Sequence, residues 1–516
     1  MQTEKEYIAG REINDLRCES VGEYSLPDYN GDVKKVLFVK SEAYPSGKFV
    51  GEDTLEFSGS VGYEVVYVDG ENNVTHAEFS TDYEATVRIN SEKYVDSDVH
   101  TTVSSCNMRL IGPRKFSVKS SLDSEVRISE RRTHSVDGDA FMEYDPEIVS
   151  ETANVFTPCF ASGDTREFSE QILEIDGAIV DEVEALLCEV EGDVSLSETG
   201  ENSVTVKGSL NVDLLYRDAD NVLRNATKEI PYFEDLMIDD VSGFGSLDAR
   251  VEVINKKFSV APTDSGVALT VSLSVAPKVY ARKNTAVELV SDAYLKERGT
   301  ENEYVDFNYT EHICMANAED KFTLKQPLSE LEIDSVSDVF SLSAVIKVDN
   351  CEIDADMAKI NGEIRFNGIA CQVSDSGDKS YLPVRFLAPY EQNVNLSCQK
   401  HGNMRVNCSS YVSDVKAELV DNTLEISYVV IADVTVNSDK RQRCIGASYA
   451  TDEEYTRDDS VVTVYYPDAS ETLFGIAKKF HTSVSAIAEC NSLSESVFSA
   501  SRSSLGTLGV GKLLIK

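Results

Sequence analysis

Six histidines, His76, His100, His134, His312, His401 and His481, are the side chains most able to hold a transition metal or move a proton at neutral pH. They are dispersed, and neither the H-x-x-x-H nor the H-E-x-x-H spacing that sets two imidazoles on one helix face occurs. Eleven cysteines run from Cys18 to Cys490 without a C-x-x-C pair, and several, such as Cys188 and Cys371, sit inside apolar runs. That pattern fits free buried thiols better than a zinc site or a disulfide framework. The acidic clusters Asp218-Ala219-Asp220 and Asp349 to Asp356 lack the glycine and terminal glutamate of a calcium loop and are read as hairpin turns. No G-x-S-x-G elbow marks a nucleophile, although the members of a triad converge in space rather than in sequence. The stretch Gly506 to Lys512 fits G-x-x-x-x-G-K, but Leu513 stands where a Ser or Thr must hold magnesium, and no helix follows to receive phosphate. The expectation is a chain with no catalytic residues, no metal and no cofactor, and not an enzyme.

What must position any other site is a long chain. Its 516 residues imply three or four domains, and 41% hydrophobic residues suffice for several cores. Asp and Glu outnumber Lys and Arg by 90 to 48, a formal net charge of −42. Such a surface repels phosphate backbones and anionic lipid, so neither nucleic acid nor a membrane surface is an expected partner; it keeps the chain soluble and would suit a basic protein. No apolar run approaches the roughly 20 residues that span a bilayer, so membrane insertion is not expected. Met1 to Glu6 are not followed by an apolar segment, and with the cysteine usage this predicts a cytoplasmic protein without a signal peptide.

An internal repeat organises the first 450 residues. Leu55, Phe57, Gly59, Val61, Tyr63, Val65 and Tyr67 alternate with mostly polar residues, and 149 positions later the chain gives Val204, Val206, Gly208, Leu210, Val212, Leu214 and Tyr216. Period 2 over seven positions predicts a half-buried strand. Asp69, Asn72 and Tyr83 match Asp218, Asn221 and Tyr232 at the same offset. Val33, Val36 and Leu37 match Val183, Leu186 and Leu187, and Lys115-Phe116-Ser117-Val118 matches Lys257-Phe258-Ser259-Val260. A divergent third copy has Ile360, Gly362, Ile364 and Phe366, with Pro389-Tyr390 answering Pro231-Tyr232. Leu269 to Val275 and Leu424 to Val430 read as closing strands, and Asp69-Gly70 and Asp375-Ser376-Gly377 as turns. The repeated tyrosines are expected in cores rather than in a binding groove. Short turns and little helical period predict a mainly β fold: three tandem sandwich-like domains at 1–160, 161–300 and 301–450, the last divergent.

The repeat resembles DUF3794, a domain family of sporulation proteins from endospore-forming bacteria. The resemblance rests on Tyr24-Ser25-Leu26-Pro27-Asp28-Tyr29 ahead of Val36-Leu37-Phe38-Val39, on Val65-Val66-Tyr67-Val68-Asp69, and on the later tyrosine that follows proline in copies two and three.

After a linker at 451–460, the period changes. Val462 to Tyr466 reads as a strand, and Ser470 as the N-cap of a helix whose apolar stripe is Leu473, Ile476, Ala477 and Phe480. Thr482 and Ser483 open a second short helix bearing Val484, Ile487 and Ala488 and ended by Asn491; Leu513-Leu514-Ile515 is a last strand. This βααβ order over 461–516 resembles a LysM domain, on Glu471-Thr472-Leu473-Phe474-Gly475-Ile476-Ala477, Asn491 and Val510-Gly511-Lys512-Leu513-Leu514-Ile515. Ser470 replaces the usual glycine, and the loop from Ser494 to Thr507 is longer than the family's. The resemblance implies a groove between the loop before the first helix and the loop after the second, which in the family contacts N-acetylglucosamine.

Tandem sporulation-type domains followed by one LysM module are similar to a group of clostridial spore-coat morphogenetic proteins. That similarity implies a mother-cell location at the forespore surface and a protein partner, a coat-scaffold ATPase bound through the LysM domain. The candidate contact residues are Ser470, Glu471, Thr472, Leu473, Phe474, Asn491 and Leu493, with Phe474 or Leu493 either exposed to the partner or packed between helix and strand. The alternative is a cell-wall protein that binds peptidoglycan glycan through the same residues.

Overall fold

A computed structural model describes residues 4–200, 202–238, 246–333, 336–374, 377, 379–456, 462–468, 470–493 and 511–516. The first unit comprises β1 (Glu4–Ser25), β2 (Val33–Val50), β3 (Thr54–Asp69), β4 (Val74–Arg88), β5 (Tyr94–Gly112) and β6 (Lys115–Ser135). A single helical turn, α1 (Asp139–Met142), leads to the second: β7 (Glu147–Ser162), β8 (Arg166–Asp176), β9 (Glu184–Thr199), β10 (Ser203–Arg217), β11 (Leu223–Met237), β12 (Ser246–Pro262) and β13 (Gly266–Tyr294). The third has β14 (Arg298–Pro327), β15 (Asp338–Asp354), β16 (Met357–Val373), β17 (Lys379–Asn395), β18 (Met404–Val420) and β19 (Thr423–Glu454). By pairing, the second unit starts at Glu147, before the expected 161, because β7 is hydrogen-bonded to β13. β19 likewise runs to Glu454, into the segment expected as linker.

One topology repeats three times. Each unit has a meander (β2-β3-β4, β9-β10-β11, β15-β16-β17) and a second antiparallel sheet (β1-β6-β5, β14-β19-β18, and β12-β13 with β7 and β8 sharing the far edge of β13). Alternating apolar residues of the two sheets face each other. In the second unit Val204, Val206, Leu210 and Val212 pack on Leu269, Val271, Leu273 and Val275 in one core. These are three β-sandwiches, as the period-2 pattern predicts.

The repeated glycine marks the same contact in each. Gly59, Gly208 and Gly362 lie in central strands directly across from Tyr83, Tyr232 and Tyr390. A Cβ there would meet the carbonyl oxygen of the other neighbouring strand, at 2.3 Å from Tyr44, 1.9 Å from Asp193 and 2.1 Å from Lys347. Only glycine admits that approach. Tyr67, Tyr83, Tyr216 and Tyr232 are all buried, so the repeated tyrosines belong to cores. Asp69 and Asp218 each accept two backbone N–H bonds across a hairpin, from Glu71 and Asn73 and from Asp220 and Val222. Asn72 and Asn221 supply the left-handed position of those turns, at φ 69° and 58°. The acidic pair at 218–220 is a turn, and Asp354 heads another, pairing with Met357. Asp375 and Ser376 lie outside the described residues. One correspondence fails: Phe116 belongs to β6, whereas Phe258 belongs to β12, the preceding strand of its sandwich.

The three meanders meet one another. Val66, Leu215 and Ile369, each seven residues past its glycine, come together with Leu37, Leu186 and Tyr381 in one apolar junction. Around it the contacts are ionic. Lys256 of the second sandwich is buried between Glu42 and Glu64 of the first, at 2.9 and 2.6 Å. Asp98 of the first reaches Arg250 and Lys278 of the second at 2.9 and 3.5 Å.

The chain closes with β20 (Thr463–Tyr465), α2 (Leu473–Lys479), α3 (Val484–Cys490) and β21 (Leu513–Ile515), β20 pairing antiparallel with β21. This is the expected βααβ module.

Candidate functional site

The module folds on its own short-range chemistry. Thr472, not Ser470, caps α2: its side-chain oxygen accepts from Gly475 N at 3.0 Å. Ser483 does the same for α3 through Ala486 N at 3.0 Å. Leu473, Ile476, Ala477, Ile487, Leu513 and Ile515 form the core, with Tyr465 and Phe480 meeting edge to face beside them.

Of the candidate contact residues, most hold the module together. Leu473 is fully buried. Glu471 accepts from the Tyr465 hydroxyl at 2.8 Å and from Asp468 N at 2.9 Å, and these donors hold its carboxyl below its ordinary pKa. Asn491 joins the end of α3 to the last strand: it donates to Ile487 O and Leu514 O at 2.8 and 2.6 Å and accepts from Leu514 N at 2.6 Å. Leu493 is half-buried against the core. Ser470 is exposed. The loop from Ser494 to Thr507, and the start of the phosphate-loop look-alike at Gly506, lie outside the described residues.

Phe474 takes the packed one of its two expected states. It is 5% exposed and therefore is not presented to solvent. Its ring meets Tyr294 at the end of β13, in the cluster that also holds Leu473, Leu513 and Ile515. One turn further along the same helix face, Lys478 pairs with Asp292 at 2.7 Å. The turn between the helices adds His481, stacked on Tyr455 at 3.6 Å between ring centroids. Thus α2 docks the module on the end of the second sandwich, and the α2–α3 turn meets Tyr455 just past β19 of the third.

Among the described residues, the outside of the β20–β21 sheet is an open face of the module. Tyr465, Leu513 and Ile515 point inward, so alternation turns Val464, Leu514 and the flanking Val462 and Tyr466 outward. They are 47%, 36%, 54% and 70% exposed, an apolar stripe on a chain of net charge −42. The alternation that betrays this stripe is visible in the sequence at 462–466.

A concavity of about 1240 Å³ opens where the three sandwiches meet. Lys40, Arg365 and Arg385 line it together with Glu191, Asp213 and Asp414. Burial and the nearby Asp414, Glu189, Asp193 and Asp213 push the Glu191 carboxyl up to about 7. Among the described residues no group of three His, Cys, Asp or Glu side chains is placed to hold a metal ion, and no helix is long and apolar enough to cross a membrane.

No curated protein and no solved structure matches the chain. The LysM domain family matches residues 469–497, so the C-terminal module is a LysM domain, a fold that binds glycans or proteins.

Proposed function

We propose that this chain is a non-enzymatic assembly protein of the SipL type, in which three sporulation-type sandwiches carry a LysM domain that binds a SpoIVA-like coat-scaffold ATPase. The observation that carries the reading is the outward apolar stripe of the LysM sheet. Val462, Val464 and Leu514 offer nothing to the hydroxyl groups of a sugar, whereas apolar side chains with an aromatic at one end suit the core of a protein interface. The partner would meet that stripe and continue onto Ser470, four residues beyond Tyr466. In the same reading the protein works in the mother-cell cytoplasm at the forespore surface, and the sandwiches are a rigid stage rather than a reaction site.

A glycan-binding role is the second reading, favoured by the LysM fold itself and by the exposed loop at Ser470. Two binding experiments on the full chain separate them: capture of the purified ATPase, and retention on purified peptidoglycan. The proposal expects the first and negligible retention in the second. Retention on peptidoglycan without capture of the ATPase would establish the alternative.

A further inference from the structure

Four cysteines of the third sandwich lie where its two sheets adjoin. Its two sheets, β14-β19-β18 and β15-β16-β17, leave two open sides: β15 beside β18, and β17 with its following connection beside β14. A pair of thiols lies across each. On one side Cys351 of β15 and Cys408 of β18 pack against the same core from the two adjoining edge strands. On the other, Cys314 of β14 stands 2.7 Å, sulfur to sulfur, from Cys398 in the connection after β17. The partners are 57 and 84 residues apart in sequence, so neither contact follows from local chain geometry.

We propose that Cys351–Cys408 and Cys314–Cys398 are disulfide-forming sites, which a low-molecular-weight disulfide such as oxidised glutathione closes to staple the two sheets of the third sandwich at its opposite sides. Each closure proceeds by exchange. One protein thiolate attacks a sulfur of oxidised glutathione and expels one glutathione thiolate. The neighbouring cysteine then attacks the mixed disulfide and expels the second. Two protein S–H bonds and one S–S bond become one protein S–S bond and two glutathione thiols, which carry away both protons. The hydrogen bond from Cys408 draws the Cys351 thiol below its ordinary pKa and makes it the attacking group of its pair. Burial and the adjoining Cys314 push Cys398 up to about 12. Three of the four residues, Cys351, Cys398 and Cys408, are only partly buried and within reach of the small oxidant.

The test uses reduced full-length protein, equilibrated with graded ratios of oxidised to reduced glutathione, blocked with maleimide in denaturant, digested without reduction and mapped by mass. The expected peptides join Cys351 to Cys408 and Cys314 to Cys398, each lighter by two hydrogens than its separate parts, while Cys18, Cys371 and Cys490 carry the label. Cys351→Ser is expected to leave Cys408 labelled and the other bridge intact. Labelling of all four cysteines to the extent of Cys490, or bridges scrambled among other cysteines, would overturn the proposal; the wild-type map alone gives that answer should a variant fail to fold.

Discussion

The rings of Tyr294 and Phe474 meet edge to face, 5.2 Å apart at an interplanar angle of 70°, and the Tyr294 hydroxyl donates to the Thr482 carbonyl at 2.6 Å. One residue at the end of the second sandwich thus grips both the first helix of the LysM domain and the turn between its helices. Phe474→Ala removes the ring and leaves a gap against Tyr294, and substitutions of this kind cost about 3 kcal/mol. Hydrogen exchange is expected to show α2 amides opening roughly 100-fold faster while β10 and β16 keep their protection. Tyr294→Phe, which deletes one buried hydrogen bond and keeps the ring, is expected to cost about 1 kcal/mol.

The glycine–tyrosine pairs predict a contrast within one residue type. Gly208→Ala would put a methyl 1.9 Å from the Asp193 carbonyl oxygen and 2.8 Å from the Val194 Cα, both backbone atoms that cannot turn aside. Overpacking of that kind costs about 2–3 kcal/mol, read as a lower midpoint of thermal unfolding. Gly47→Ala in β2 meets nothing within 4 Å and is expected to leave the midpoint where it is.

The ionic seam between the first two sandwiches makes stability depend on acid. Burial opposes the charge on Asp98, but Arg250, Lys278 and Arg127 outweigh it and hold the carboxyl at about 2. Its folded pKa lies below its ordinary 3.8, so it stabilises the fold above about pH 4 and loses that contribution as pH falls through 2. Asp98→Asn is expected to be about 2 kcal/mol less stable than wild type at pH 7, with the two converging near pH 2 in denaturant melts. A gap unchanged across that range would assign the loss to packing instead.

Much of this was open to reading along the chain, because strands and turns are local. Period-2 alternation gives β3, β10 and β16, and Asp69 with Asn72 gives a turn that Asp218 and Asn221 repeat. Local pattern failed where two strands look alike. The run Lys-Phe-Ser-Val fits either strand of a hairpin, and it recurs at Phe116 in β6 and at Phe258 in β12, strands that are not equivalent. It failed also where the decisive neighbour is remote. Phe474 reads as an aromatic on a helix, and Tyr294, 180 residues earlier, is what covers it. Thr472 rather than Ser470 is the cap because α2 begins at Leu473, the first residue of the apolar stripe, and the capping position is the residue just before it. The thiol pairs of the third sandwich are invisible in sequence for the same reason of distance.

The outward stripe of the LysM sheet is where the account stands or falls. Val464 faces Leu514 across that sheet, and Val464→Asp places a charge at its centre without touching Leu473, Ile476 or Ile515 of the core. The direct measurement is the affinity of the full-length chain, wild type and Val464→Asp, for the purified SpoIVA-like ATPase, with circular dichroism confirming equal folding. Loss of a central apolar contact costs about 2 kcal/mol or more, at least a tenfold weakening, and that is the predicted result. Equal affinity of the two proteins, or no affinity in either, would contradict it.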